Sequence, residues 1–282
     1  MERNQIIFSG QSHTFGLGLE WELDPELNSE DYLQKGINIP IPRLIHYQKY
    51  WREYRWPKLV CNELGYKEFN VHDDENFVKF RIGANSIQTI WMMVREEKKI
   101  QALLESTKYV ILEVGGHIRW YDVELHGGID GDKYPNTIIE MIDLINNPKS
   151  DEIIVEKTLN WINNIDPDIY TIEMNNRIQY LIKKYPEITF LILPWHTDEN
   201  DNSIIRSKPL INNIIPIEEN GKKYLAVSSF LQNEKLQVYH KAKGFNRNYK
   251  FNRVEEHASI EGHQRVANMV INYIKKLENE KK

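Results

Sequence analysis

The sequence has little of what marks several large classes of protein. Its 282 residues include one cysteine, Cys61, so no internal disulfide can form and the fold does not need an oxidising compartment. Lys and Arg number 36 against 41 Asp and Glu, and this net charge of −5 lacks the basic excess typical of nucleic-acid-binding proteins. No apolar run approaches the roughly 20 residues of a membrane span, and the N-terminal apolar stretch is too short for a signal-peptide core. We therefore expect a cytoplasmic protein with neither a membrane nor a nucleic-acid partner.

The composition is that of a folded domain. Hydrophobic residues make up 41% and charged residues 27%, which excludes a disordered tail and a fibrous protein. At roughly 150 residues per domain, the length fits one large domain or two small ones. Because no linker or repeat is visible, the sequence predicts a single domain over residues 1–282. We expect irregular insertions near residues 24–42, 120–150 and 195–222.

Short β-branched runs alternate with helical patterns. The runs that predict strands cover residues 5–9, 68–71, 109–114, 188–193 and 224–230. Several of them are almost continuously apolar, which is typical of strands buried on both faces of a parallel sheet. The helical patterns cover residues 56–65, 87–94, 151–163, 167–185 and a last segment from about Glu261. This alternation predicts right-handed βαβ crossovers and an α/β sandwich.

A serine follows the first predicted strand. In the window Gly10-Gln11-Ser12-His13-Thr14-Phe15-Gly16, Ser12 would lie on the turn that leaves the strand, where Gly10 permits a tight backbone. A serine there is exposed and close to helix N–H groups, as a nucleophile with an oxyanion hole must be. The alternative is a serine that caps a helix in a glycine-containing turn.

A histidine precedes the last predicted helix. His257 lies at a strand-to-helix connection, where it could act as a general base if a carboxylate orients its ring. Glu255 and Glu256 are the adjacent candidates. The alternative is a solvated acidic loop with a surface histidine. His263 follows Gly262 at the helix start and is expected to pack or cap locally.

Together the two windows resemble the SGNH (GDSL-type) hydrolase family. In that family a Gly-x-Ser follows the first strand, and the catalytic histidine stands five residues before the glycine that opens the final helix. Here Gly10-Gln11-Ser12 matches the first block, and His257 stands five residues before Gly262. The resemblance implies a three-layer α/β/α sandwich with a mainly parallel, flavodoxin-like sheet. It also implies that Ser12 is the nucleophile and His257 the base.

The intermediate blocks of the family match less closely. Gly83, at the start of a predicted helix, stands in the place of the glycine whose N–H faces the oxyanion. His117 follows Gly115-Gly116, where the family carries an oxyanion-binding asparagine, and a neutral imidazole can also donate one hydrogen bond. Val254 stands where the family carries its orienting aspartate, so Glu255 is the predicted acid, with Glu256 or a Ser–His dyad held by a backbone carbonyl as the alternatives. Arg119 is expected to line the substrate pocket.

Other clusters of residues give weaker indications of a functional site. The acidic runs at 73–75 and 198–201 lack the spacing of a calcium loop, and residues 117–132 lack paired metal ligands, so no metal site is predicted. No glycine-rich nucleotide motif is present, and no cofactor is expected. The aromatic and basic residues at 47–56 form either a stacking surface for bases and sugars or an amphipathic helix that packs its aromatics on the sheet.

The sequence therefore predicts a serine esterase without metal or cofactor. Its substrate would be a small-molecule or glycan ester, with carbohydrate O-acetyl groups as the substrate class that the resemblance implies. The rival hypothesis is a catalytically decayed scaffold of the same family that serves as a glycan-binding or structural protein, which the substitutions at Val254 and His117 favour.

Overall fold

A computed structural model of the chain shows two compact units. Unit 1 comprises Met1–Gln11 and Phe69–Ile214, and unit 2 comprises Ser12–Glu68 and Ile215–Lys282. The single domain expected from the sequence stays a prediction, and the expected insertions at 24–42 and 120–150 lie outside the described residues. The structure describes residues 3–10, 14, 16, 19–23, 52–71, 89–90, 93–94, 97–114, 152–153, 155–156, 159, 167–195, 213–240 and 253–280.

Unit 1 is built on a mainly parallel sheet. The strands are β1 (Gln5–Ser9), β2 (Lys67–Asn70), β3 (Thr107–Val114) and β4 (Thr189–Pro194), in the spatial order β2-β1-β3-β4. The pairs β1–β3 and β3–β4 are parallel, and Ile214 forms a further parallel bridge to Ile192. All four strands fall within two residues of their predicted positions. The prediction of an α/β fold with a mainly parallel sheet is therefore confirmed.

The apolar runs become strands because both faces of the sheet are buried. Ile7, Val110 and Phe190 lie side by side in register and share one core with Leu104, Ile178 and Leu181 of the helices α3 (Glu97–Ser106) and α4 (Pro167–Lys184). The intervening side chains point to the other face and are also buried. They are Ile6, Phe8, Tyr109, Ile111, Leu191 and Leu193. Residues 89–90 and 93–94 and parts of 152–159 are helical, as the apolar periodicity predicts.

A buried carboxylate joins helices α3 and α4 of unit 1. Glu97 opens α3, and its carboxylate accepts hydrogen bonds from the hydroxyls of Tyr185 at 2.7 Å and Tyr180 at 2.8 Å. Lys184 pairs with the same carboxylate. Burial alone would raise the pKa of Glu97, but the hydrogen bonds from Lys184, Tyr185 and Tyr180 outweigh it and lower the pKa. The ionised form is therefore the one that holds α3 to α4.

The described elements of unit 2 are mostly helices and paired short strands. Strands β5 and β6 form an antiparallel hairpin, and β7 and β8 form a second antiparallel pair. The hairpin turns through Asn220 and Gly221, both with positive φ, which is the signature of a two-residue type I′ turn. The elements are α1 (Glu20–Leu23), α2 (Trp56–Leu64), β5 (Ile217–Glu219), β6 (Lys222–Tyr224), α5 (Val227–Asn233), β7 (Gln237–His240), β8 (Arg253–Ala258) and α6 (Ile260–Glu280).

Helix α2 begins and ends where the sequence predicts. Pro57 lies in the first turn, and Gly65 adopts a left-handed φ of 74° just past the end, where its N–H donates to the carbonyl of Cys61 at 2.9 Å. The helix packs against α6. At the distant end of α6, Lys275 pairs with Glu63 at 2.7 Å and Tyr66 donates to Glu278 at 2.7 Å. Burial raises the pKa of the Cys61 thiol, so this lone cysteine is an inert part of the packing.

The strand predicted over residues 224–230 is wrong. Only Tyr224 belongs to a strand, and residues 227–233 form helix α5. The apolar residues Val227, Phe230 and Leu231 are buried at helical spacing, and the Ser229 hydroxyl accepts from the N–H of Ala226 at 3.1 Å. This local bond satisfies an N–H at the helix start that has no partner within the helix. The preceding stretch, expected as an irregular insertion up to residue 222, contains the β5–β6 hairpin.

Substitution of Glu97 by alanine should destabilise the protein by about 1–3 kcal/mol, because two tyrosine hydroxyls lose a charged acceptor. Urea unfolding at neutral pH measures the change in the free energy of unfolding. Glu105→Ala on the same helix is the matched control, since Glu105 accepts only an exposed bond from Gln101 among the hydrogen bonds of the described residues. Equal effects of the two substitutions would contradict the structural role of Glu97.

Candidate active site

The predicted base lies at the end of a strand. His257 belongs to β8, one residue before its last residue, and its side chain is half-buried. The paired residues Gln237–Ala258 and Tyr239–Val254 enclose one residue of β7 but three residues of β8. Strand β8 therefore bulges at residues 255–257. Bulges of this kind re-aim side chains and are common beside active sites.

The junction between β8 and α6 is tied down by hydrogen bonds. The Ser259 hydroxyl accepts from the N–H of Gly262 at 3.0 Å and so caps the helix. The N–H of Ser259 donates to the carbonyl of Leu236 at 2.8 Å, and the N–H of His263 donates to the carbonyl of Ser259 at 2.8 Å. The backbone that follows His257 is therefore held in one conformation.

Glycine is required at position 262 by close approach. A Cβ there would lie 2.6 Å from the carbonyl oxygen of Leu236 and 3.0 Å from Cδ2 of Leu231. A backbone oxygen cannot move away as a flexible side chain can. Close packing therefore explains why this chain has a glycine five residues after His257.

Glycine is also required at position 16, in the window that contains Ser12. Its φ is +92°, in the left-handed region that favours glycine. A Cβ there would also lie 3.1 Å from Cβ of Arg55 and 3.2 Å from Cδ1 of Leu19. Arg55 is itself buried, with 1% of its surface exposed, and pairs with Glu68 at 2.7 Å. The turn at Gly16 therefore packs against Arg55, which belongs to a buried ion pair.

A carboxylate near this turn binds the base-bearing segment. Glu22 lies on α1, ten residues after Ser12 in the sequence, and accepts from the N–H of Ile260 at 2.6 Å. Ile260 is the first residue of α6 and stands three residues after His257. Described flanks of the two family-like windows are therefore hydrogen-bonded to each other within unit 2.

A second histidine lies in the core of the same unit. His263 is fully buried, and its Nδ1 accepts at 3.2 Å from the N–H of Trp56, a residue 207 positions away rather than the local partner expected from the sequence. Because Nδ1 accepts, the neutral ring carries its proton on Nε2. Burial, together with the nearby charges of His257 and Arg55, lowers the pKa of His263 to about 3. His263 is therefore a neutral structural histidine at physiological pH.

Unit 1 carries a buried hydroxyl pair that the sequence did not reveal. Ser9, the last residue of β1, donates to Thr89 at 2.6 Å. Ser9 stands three residues before Ser12, and Thr89 stands six residues after Gly83. No local sequence pattern predicts this bond, since its partners are 80 positions apart. The bond joins β1, which precedes Ser12 in the sequence, to the helical segment that contains Thr89 and follows Gly83.

Most predicted site residues lie outside the described residues. Ser12, Gly83, His117 and Arg119 are among them, and Glu255 is described only as backbone of β8. The structure therefore locates His257 and does not bring it together with the other predicted site residues. The acidic runs at 73–75 and 198–201 lie outside the described part as well.

The aromatic and basic stretch at 47–56 is described from Arg52 onward. Trp56 and Arg55 are buried, which fits helix packing better than a stacking surface, while Tyr54 is exposed. Within the described ranges, no three His, Cys, Asp or Glu side chains form a group that could hold a metal ion. No helix among the described residues is long and apolar enough to cross a membrane.

Comparison of the chain with protein-family models, with curated proteins and with solved structures finds no match.

Substitution of Gly262 by alanine should cost about 3 kcal/mol, at the upper end for overpacking, because the new Cβ meets a backbone oxygen in a packed core. Gly65→Ala is the matched comparison. Its Cβ would have open space, so only the left-handed backbone is penalised, by about 1–2 kcal/mol. Chemical unfolding of both variants checks the order. A smaller loss for Gly262→Ala than for Gly65→Ala would refute the close approach.

Protonation of His263 should destabilise the protein in acid. The unfolded histidine titrates near its ordinary pKa of 6.5 and the native one near 3. As the pH falls between these values, only the unfolded state gains this proton, so the unfolding free energy drops by up to about 1.4 kcal/mol per pH unit. This contribution is fully present above pH 6.5. His263→Asn, which keeps an acceptor near Nδ1, should flatten the profile in urea titrations, and parallel profiles would contradict the assignment.

Proposed function

We propose that the chain is a serine ester hydrolase of the SGNH type, with Ser12 as nucleophile and His257 as general base. The observation that carries the proposal is the hydrogen bond from Ile260 to Glu22 at 2.6 Å. It joins the segment that follows Ser12 to the segment that carries His257. A triad assembled from opposite ends of a chain needs such contacts, because its groups must lie within hydrogen-bond reach of each other.

The sheet supports the same proposal. The order β2-β1-β3-β4, with Ile214 bridged to β4, is that of flavodoxin-like sheets, in which ligands bind at the carboxyl ends of the strands. Ser12 follows the carboxyl end of β1, and His117 follows that of β3. We propose a three-layer α/β/α sandwich of the SGNH type on this basis.

In the proposed reaction, Ser12 attacks the acyl carbon while His257 takes the hydroxyl proton. The N–H groups of Ser12 and Gly83, with the ring N–H of His117, would stabilise the developing oxyanion. The C–O bond to the alcohol then breaks, and His257 gives the leaving oxygen its proton. Water, deprotonated by His257, then attacks the acyl-enzyme. The bond between the acyl carbon and Ser12 Oγ breaks, His257 returns the proton to Ser12, and the carboxylic acid leaves.

The remaining roles follow the same scheme. Glu255 would accept from the other nitrogen of His257 and stabilise the imidazolium. Arg119 would bind the substrate, which we propose is a carbohydrate O-acetyl ester. We propose that the enzyme works in the cytoplasm without a metal, cofactor, membrane or nucleic acid, since its one cysteine is a buried thiol and its net charge is −5.

A decayed scaffold that binds glycans or serves a structural role is the second candidate. Val254 is paired with Tyr239 in the β7–β8 ladder, at the position where the family carries its aspartate. An apolar side chain there cannot orient His257. This observation favours a protein that keeps the fold and has lost the chemistry.

A fluorophosphonate probe tests the proposal. We expect the wild-type protein to be labelled on Ser12, Ser12→Ala to be unlabelled, and His257→Asn to react at least about 1000-fold more slowly, because the serine loses its base. Ser228→Ala, half-buried on α5, is the control serine and should label normally. Intact-mass spectrometry and peptide mapping give the site. A folded wild-type protein that stays unlabelled would support the binding scaffold instead.

A further inference from the structure

The β8–α6 junction is held from two sides. On one side, the carboxylate of Glu22 accepts from the N–H of Ile260 at 2.6 Å. On the other, the ring of His263 accepts from the N–H of Trp56, the first residue of α2, at 3.2 Å. Neither bond is local in sequence, since its partners are 238 and 207 positions apart. Both bonds therefore fix where the junction lies, and the bond to Glu22 also satisfies an N–H at the start of α6 that has no partner within the helix.

Further hydrogen bonds connect the first turn of α6 to the start of strand β7. His263 donates through its backbone N–H to the carbonyl of Ser259, and Ser259 donates to the carbonyl of Leu236. Leu236 directly precedes β7, the partner of β8. The connection from α2 thus runs through the first turn of α6 to the ladder end that holds His257.

We propose that Glu22 and His263 are positioning residues that clamp the β8–α6 junction, and with it His257, against the segment that follows Ser12. The catalytic meaning of the clamp rests on the proposed function. The structural part of the proposal, that these two side chains hold the junction in place, does not depend on the proposed function. Neither residue touches the reacting atoms in this proposal.

The clamp is separable from the stability of the helix. Helix α6 is also fastened at its distant end, where Lys275 pairs with Glu63 and Glu278 accepts from Tyr66. Its apolar face, including Val266, Val270 and Ile274, is buried. Loss of one clamp bond should therefore loosen the junction while α6 remains packed on α2.

The two bonds offer conservative variants. Glu22→Gln keeps an acceptor oxygen for the N–H of Ile260, and Glu22→Ala removes it. His263→Asn places an amide oxygen near the position of Nδ1, and His263→Leu leaves the N–H of Trp56 without its acceptor. Lys275→Gln is the matched control, because it removes an α2–α6 tie at the opposite end of the helix.

The experiment has one readout that does not depend on activity. Hydrogen exchange of the backbone amides at 253–263 should accelerate about tenfold or more in Glu22→Ala and His263→Leu, while residues 266–274 stay protected. Glu22→Gln, His263→Asn and Lys275→Gln should resemble wild type. Unchanged exchange at 253–263 in both Glu22→Ala and His263→Leu overturns the proposal.

The second readout is the fluorophosphonate rate of each variant. We expect a loss of about 100-fold in His263→Leu, the cost of misplacing a catalytic group by about 1 Å, and of about fivefold in Glu22→Ala. The conservative variants Glu22→Gln and His263→Asn should restore the rate. A loss of rate that only matches the loss of folded protein, with no rescue by His263→Asn, would overturn the positioning role.

The two proposals fail in distinguishable ways. An unlabelled wild-type protein whose junction loosens in Glu22→Ala and His263→Leu ends the esterase proposal and keeps the clamp. A wild-type protein labelled on Ser12, with rate and exchange unchanged in both clamp variants, keeps the esterase and ends the clamp.

Discussion

No side chain fits between residue 262 and the carbonyl oxygen of Leu236, and the arrangement around α6 depends on this constraint. With glycine there, the first turn of the helix approaches the start of β7 to within contact of its backbone. The N–H of Ser259 donates to the same carbonyl, and the neighbouring His263 accepts from the N–H of Trp56. A larger residue would push the helix away and break both bonds. One missing Cβ therefore determines how the strand that carries His257 meets the helix that follows it.

Local sequence patterns predicted the buried strands and helix α2 correctly. The runs around Ile7 and Val110 are apolar at every position because both faces of their strands are buried. Pro57 and Gly65 mark the ends of α2 because one suits a first turn and the other a left-handed cap. The pattern failed at Val227, where β-branched and aromatic residues suggested a strand. There the spacing of the buried residues is helical, and the Ser229 hydroxyl bonds the N–H at the helix start.

Contacts between distant residues could not be predicted in the same way. Glu22 has an ordinary sequence context, and nothing near it points to an amide 238 positions away. Arg55 sits among aromatic and basic residues for which the sequence allowed either a stacking surface or helix packing, and nothing near it in the sequence indicates its buried pairing with Glu68. The two histidines near the last helix show the same limit. His257 and His263 differ in environment, since one is half-buried on a strand and the other is enclosed, and the distant partner that encloses His263 has no local signal in the sequence.

The bulge in β8 bears on which acid orients the proposed base. In a regular strand, residues two apart share a face and residues three apart do not, so position along the sequence would decide which carboxylate faces His257. Residues 255–257 stand opposite one residue of β7, and this breaks the alternation. Val254 is held in the regular ladder by its pairing with Tyr239, whereas Glu255 belongs to the bulge. A family-like spacing counted along the chain therefore does not carry over to this strand. Glu255 stands two residues before His257 and would share its face in a regular strand, but the bulge removes this support. The apolar Val254 therefore remains an argument for the decayed scaffold.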